Sequence, residues 1–376
     1  MAALSTNKEF YYGQTSAPPM AGTVGYMISM LDAFLVTGFN SKNVSSISVT
    51  SNVATVTTSA AHGYELGNII VFAGANESIF NDEFEILTIP STTTFTFSIT
   101  TALTSATGTM TCKVAPLGWE KTFSGTNKAV YRSLDLTTNQ LYLRVDDTNA
   151  QYSAVNIYET MTNVDTGTGA STTKYWKKST TSDTTSRSWY AIGNKKVFYL
   201  FSDWNPSSLL QPAVYSFGWF QSLKSGDGFN TMLIRHDIST PSYPYSNLDF
   251  GKMNNSANTQ GQIIARSYTQ LGTTQAFYKI GIGNHSYMGY DPAFPFPNSP
   301  DNGIHLFPVY IYESSSVFRG KFPGVLSPNE YTNGIFLSRD KTVVINNKRY
   351  IAYRFCNSTS LNQYCNCWFP LDEEWT

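Results

Sequence analysis

Apolar and polar positions along the chain follow two different periods. Between Gly22 and Val36, the residues Val24, Met27, Ile28, Leu31, Phe34 and Leu35 recur at helical spacing. Gly38 stands where such a helix would stop. This spacing predicts one helix of about three to four turns. From residue 44 onward the period is two. Ser46–Thr50 and Val53–Thr57 alternate around Ser51-Asn52, the pattern of a hairpin. Further strands are predicted at 68–72, 83–87, 95–99 and 108–112. After Pro116 the strand-like runs are longer: 129–132 with 140–145 as a hairpin, then 155–159, 195–201, the strongly apolar 213–220, 306–312, 342–345 and 348–354. Thr166–Arg187, rich in Ser, Thr, Gly and Lys, reads as an exposed loop. Residues 292–300 read as a rigid Pro/aromatic connector.

The predicted fold class is mainly β. We expect a β-sandwich or jelly-roll-like main domain with one N-terminal helix and an inserted small β-barrel. Short, evenly spaced, Thr-rich strands are the signature of a small closed barrel. The lone helix is too short to be a domain. Residues 1–43 are therefore expected to pack, as arm and helix, on a main domain of residues 115–376, with the barrel of residues 44–114 between them. An insertion needs its two ends close together, and a small barrel supplies that. Residues 1–20 read as an extended arm and 355–376 as a docking tail, the segments expected to reach a neighbour.

Composition sharpens this picture. The chain has 376 residues, of which 14% are charged and 15% aromatic, with a formal net charge of −1. Average soluble domains are roughly 25% charged. Few charges with many Tyr and Trp fit a surface covered by permanent neighbours. They also fit a large aromatic core beneath a Ser/Thr/Asn exterior. The near-neutral balance excludes an electrostatic drive toward nucleic acid or an anionic membrane. No apolar run approaches the ~20 residues of a membrane helix, and the first residues lack the basic and apolar regions of a secretory signal. Membrane insertion is not expected. Cys112, Cys356, Cys365 and Cys367 lack the spacing of a zinc site, and buried free thiols are expected. A disulfide from Cys356 to Cys365 or Cys367 is the alternative.

Several segments resemble known proteins. Ala115-Pro-Leu-Gly-Trp-Glu-Lys-Thr-Phe-Ser-Gly-Thr-Asn-Lys-Ala-Val-Tyr-Arg132 is similar to a stretch that recurs in structural proteins of tailed bacteriophages. Leu141-Tyr-Leu-Arg-Val-Asp-Asp147 and Tyr158-Glu-Thr-Met-Thr162 resemble the next segments of those proteins. Phe318-Arg-Gly-Lys-Phe-Pro-Gly-Val-Leu326 resembles an Arg-Gly-x-x-Pro-Gly segment of the same proteins. The module Val53–Thr57, His62-Gly63, Gly67 and Phe95–Phe97 looks like a small barrel repeat of phage particle proteins. It is also remotely similar to a barrel subdomain of ubiquitin-activating enzymes, which implies fold alone. The resemblance implies a virion protein of tail or neck, made in the bacterial cytoplasm. Its expected partners are copies of itself in a ring or trimer and other virion proteins. It carries no catalytic residues and implies no cofactor.

Motifs that would signal catalysis are missing. The sequence lacks phosphate-loop, HExxH and GxSxG patterns. His62, His236, His285 and His305 are scattered, with His62 reading as a turn residue and His285 as a loop residue. Asp146-Asp147 reads as a strand-ending turn, because neighbours on a strand point to opposite faces. Glu120 beside Trp119 raises the thought of a glycosidase, with Asp146 or Asp147 as the second carboxylate. Trp119, Tyr243, Tyr245, Tyr287, Tyr290, Asp291, Trp368 and Trp375 are the candidate ligand or interface residues. Exposed rings beside Asn and Asp could stack on a host glycan. No catalytic, cofactor or metal residue is assigned. Lys177-Lys178 and Lys195-Lys196 read as solvated loop or edge-strand positions. Two other functions stay open: a head-decoration or fibre protein binding host carbohydrate, and a carbohydrate-active enzyme.

Overall fold

The computed structural model describes residues 7–205, 213–236, 261–281, 303, 305–313, 317–328, 341–356 and 364–375. The chain is mainly β, in a sandwich-like arrangement of curled sheets. The helical segment makes about three turns, within the predicted length: an α-helix at Tyr26–Leu31 runs into a π-helix at Asp32–Thr37. It starts late because the preceding residues are tethered elsewhere. Met20 bridges to Arg187. A Cβ on Gly22 would stand 1.8 Å from the Thr181 carbonyl oxygen, so the chain there lies flat against that loop.

Residues 39–114 form a sheet of their own. Its end strands, Glu83–Glu85 and Thr88–Ser91, are joined by Ile86 and Leu87 alone. A two-residue link between opposite ends forces the sheet to roll up. The link is stitched to both sides, by Ile86 N–H to Asn68 O and by Leu87 N–H to Thr96 O. Phe72, Phe84, Phe95 and Phe97 fill the interior, Phe84 stacking on Phe97 at 4.1 Å. Ser51 and Asn52 both take positive φ in the hairpin Phe39–Thr50/Val53–Thr58, as the tight turn requires. The first and last residues of this unit pair with each other, Phe39 opposite Val114. The chain therefore leaves the rest of the molecule and returns to it at one point. The helix packs beyond that point: Leu117 N–H bonds Phe34 O, and the Tyr131 hydroxyl bonds Asp32 Oδ1 at 2.8 Å.

Two further sheets make the remainder. A five-stranded sheet holds Trp119–Gly125, Lys128–Ser133, Tyr142–Asp146, Tyr152–Tyr158 and Lys174–Lys177. A larger one begins with Lys8–Tyr11, Trp189–Gly193, Val197–Ser202 and Ala213–Trp219 and continues through the C-terminal strands. The strand Val197–Ser202 is buried along its whole length. Its alternate residues serve two cores. Phe198 and Leu200 meet Trp119, Trp176 and the five-stranded sheet. Val197, Tyr199 and Phe201 meet Tyr353, Phe369 and Trp375 on the other side. A continuous apolar run is what a strand covered on both faces needs.

Several sequence expectations change here. Aromatic rings fill the chain's own two cores, which favours the second explanation of the composition. The N-terminal arm is a strand, Lys8–Tyr11 pairing with Trp189–Gly193, and the tail strand Tyr364–Pro370 pairs with Lys348–Cys356. Within the expected loop 166–187 lie the strands Thr166–Thr168 and Lys174–Lys177. Lys177 and Lys178 are buried, because the chain there lines the core beside Tyr215 and Trp204. Cys112 and Cys367 are buried free thiols, which removes Cys367 from a disulfide. The side chains of Cys356 and Cys365 lie outside the described residues.

Candidate functional site

The sequence-predicted aromatic residues separate into two groups. Tyr243, Tyr245, Tyr287, Tyr290 and Asp291 lie outside the described residues, as does His285. Trp119, Trp368 and Trp375 are inside the protein. Trp119 packs on Phe198 and Phe217 and donates from Nε1 to Asn194 O at 3.0 Å. Trp368 sits in the strand that pairs with Lys348–Cys356. Trp375 packs between Tyr199 and Phe369. These three rings are committed to internal packing, which leaves no face for a ligand or partner.

The carboxylates near Trp119 do not converge. Glu120 pairs across the strand with Arg132, whose Nε–H donates to it at 2.7 Å. Asp146 lies opposite Lys128, further along the same neighbouring strand and one strand over. At about 3.3 Å per residue and 4.8 Å between strands, Glu120 and Asp146 are roughly 16 Å apart at Cα. Glycosidase carboxyl pairs stand about 5–9.5 Å apart. Asp146 accepts from Thr148 N–H and hydroxyl in a turn, as its position suggested. His62, expected in a turn, is buried against Tyr64 and Phe95, its Nδ1 accepting from Tyr64 N–H at 2.9 Å.

Asp147, expected in that turn, is instead a buried anion. Its side chain and that of Lys178 are both 0% exposed and in direct contact. Asp147 Oδ2 also accepts from Met27 N–H, and Lys178 Nζ donates to Thr23 O at 2.7 Å. The pair thus fixes the start of the helix over the five-stranded sheet. Burial is the leading influence on both groups, raising the Asp147 carboxyl and lowering the Lys178 ammonium despite their attraction. The pair sets geometry more than it adds stability. Because the folded value of Asp147 is raised, the unfolded chain ionises first as pH climbs from the usual carboxylate value of about 3.9. The folded state then loses stability until its own raised value is passed. Denaturant titrations from acid to neutral pH are expected to show wild type losing stability relative to Asp147→Asn across that window.

The segments that resemble phage proteins have structural roles here. Arg319 is buried and bonds Glu313 and Asp227. A Cβ on Gly320 would meet Gln221 O at 2.1 Å. Pro323 O accepts the Tyr199 hydroxyl at 2.9 Å. Asn127 takes positive φ in the turn after Gly125, and its carbonyl accepts Asp147 N–H.

A cleft of about 430 Å³ opens where the rolled sheet meets the strand Lys8–Tyr11 and the C-terminal segments. Tyr11 donates to Glu65 Oε1 at 2.6 Å. Arg349 is clamped between Glu85 and Asp372. Lys8 Nζ is held by Glu83 and by Pro116 O. The turn Glu65–Asn68 is fixed by Glu65 N–H to Asn68 Oδ1 and Asn68 N–H to Glu65 O. Sequence reasoning missed this cleft because its walls come from segments scattered between residues 7 and 371, and no local spacing links them. Among the described residues, no group of His, Cys, Asp and Glu is arranged to hold a metal ion, and no helix is long and apolar enough to cross a membrane.

No family model matches the chain, and no curated protein does. Among solved structures, the chain is similar to one described as a phage phi92 endosialidase, at 13% identity and a TM-score of 0.18. The match covers 89% of this chain and 52% of that one, so the chain spans about half its length. A TM-score this low carries no argument about fold or activity.

Proposed function

We propose that the chain is a structural component of a tailed-bacteriophage virion, tail- or neck-associated, that assembles by packing against copies of itself and other virion proteins. The sequence resemblance at residues 115–132 and 318–326 supports this reading. The observation that carries it is the character of the surface. Charged side chains are few, and many are tied to one another within the chain, as in Lys128 with Asp146 and Asp165, or Arg266 with Glu159. What faces outward is largely Ser, Thr and Asn with isolated apolar residues, among them Leu136 at 84% and Leu271 at 73% exposed. A freely diffusing protein keeps more charge outside for solubility. A surface of this kind suits lasting contact in a symmetric assembly.

Sedimentation of the purified chain from about 1 to 100 μM spans the range in which a micromolar interface saturates. A ring or trimer is the expected species. Mass spectrometry of purified particles of the phage encoding the chain is expected to find it in stoichiometric amount. A monomer across that range, together with absence from the particles, would falsify the proposal.

A further inference from the structure

We infer that the cleft between the rolled sheet and the main body binds a neutral saccharide. The inference stands apart from the assembly reading, since it rests only on the cleft. Its volume of about 430 Å³ lies within the roughly 300–1,000 Å³ of small-molecule sites. Its walls are preformed, built on paired strands and on the doubly bonded turn Glu65–Asn68.

The charges decide what fits. Arg349 already faces two carboxylates, and Lys8 faces Glu83. An anionic ligand would have to compete with these partners and would meet Glu65 as well. Glu65 accepts the Tyr11 hydroxyl through one oxygen, which leaves the other for a hydroxyl donor. Asn68 and the clamped guanidinium of Arg349 add polar groups along the same wall. Such a mixture of fixed acceptors and donors without net positive charge matches a ligand whose hydroxyls both donate and accept. Leu66, 66% exposed, and the half-buried Leu371, also in the lining, offer apolar surface for the C–H face of a sugar ring. Gly67 lies at the mouth with a φ of +79°, and a Cβ there would stand 3.7 Å from Arg349 Nη1. A side chain at this position would narrow the opening.

The test is ligand-observed and protein-observed NMR titration with lactose, cellobiose and mannobiose, with digalacturonic acid as the anionic counterpart. At about 10 mM sugar, a site with a Kd near 1 mM is mostly filled. At least one neutral disaccharide is expected to bind, and more tightly than digalacturonic acid. Glu65→Gln keeps the acceptor for Tyr11 and replaces the second oxygen with an amide, so about tenfold weaker binding is expected. Thr342→Trp places a ring at an exposed lining position and is expected to abolish binding while the fold, followed by circular dichroism, is unchanged. No binding by any of the three neutral sugars overturns the inference. So does tighter binding of the anionic sugar, or binding that survives both substitutions.

Discussion

Replacing Arg319 with Met is expected to cost about 3–5 kcal/mol, the loss seen when one partner of a buried ionic cluster is removed. The guanidinium is 0% exposed and its partners Asp227 and Glu313 are 1% and 6% exposed. Nη1 donates to Glu313 at 2.8 Å and Nη2 to Asp227 at 2.9 Å. One side chain therefore ties the strand Val317–Pro328 to its neighbour Leu306–Glu313 and to the loop after Ser222. Asp227 is held in turn by the Ser222 hydroxyl and by Phe229 N–H. Without Arg319, two buried carboxylates lose the cation they share, and burying a charge without a partner is costly. Arg319→Lys is expected to recover little, because one ammonium cannot reproduce a planar fork reaching two acceptors. The triple variant Arg319→Met, Asp227→Asn, Glu313→Gln removes the stranded charges and is expected to regain part of the loss. Urea denaturation reads all three. A loss below about 1 kcal/mol for Arg319→Met would mean that the cluster is hydrated and contributes little.

The legible part of this protein was its periodicity. The predicted strands lie within a few residues of observed ones in both the rolled sheet and the main body, through alternation where one face is buried and through continuous apolar runs, as at 195–201 and 213–220, where both are. The hairpin at Ser51-Asn52 was legible for the same reason, with turn chemistry added. Only the start of the helix was illegible, because Val24 continues the apolar period while Gly22 is pinned against Thr181. Local spacing cannot register such a distant contact. The same blindness explains the charges. Asp147 and Lys178 sit in segments that look polar and exposed, and only the fold shows that they lie against each other from 31 residues apart and that Arg319 reaches Asp227 from 92. The cleft was illegible on those grounds too. Tyr11, Glu65, Glu85 and Arg349 share no pattern until the sheet rolls up against the main body. Composition left two readings of the abundant rings, covered surfaces or a large aromatic core, and they serve two aromatic cores that share the strand Val197–Ser202. The low charge content remains as the argument for neighbours, since internal packing of rings does not explain it.

The C-terminal segment brings these strands together, and it yields the second large effect. Trp375→Ala is expected to cost about 3–5 kcal/mol, the range for deleting a buried tryptophan. The ring is 1% exposed. It packs on Tyr199 and Phe369 at 5.9 and 5.7 Å, and its Nε1–H donates to Pro370 O at 2.9 Å. A tail whose work is to reach a neighbouring subunit would leave the isolated chain's stability unchanged on this substitution. Gly324 supplies an independent check. It lies under the indole, with φ +69°, and a Cβ there would be 2.2 Å from two ring carbons. Gly324→Ala therefore collides with Trp375 and adds about 1–2 kcal/mol of left-handed backbone strain. In the double variant the ring is gone and only the backbone term of Gly324→Ala remains. The two losses are thus expected to be less than additive by at least about 1 kcal/mol, the coupling a direct contact produces. Additive losses in urea denaturation would show that the indole does not rest on Gly324. The second core would then close without its last ring.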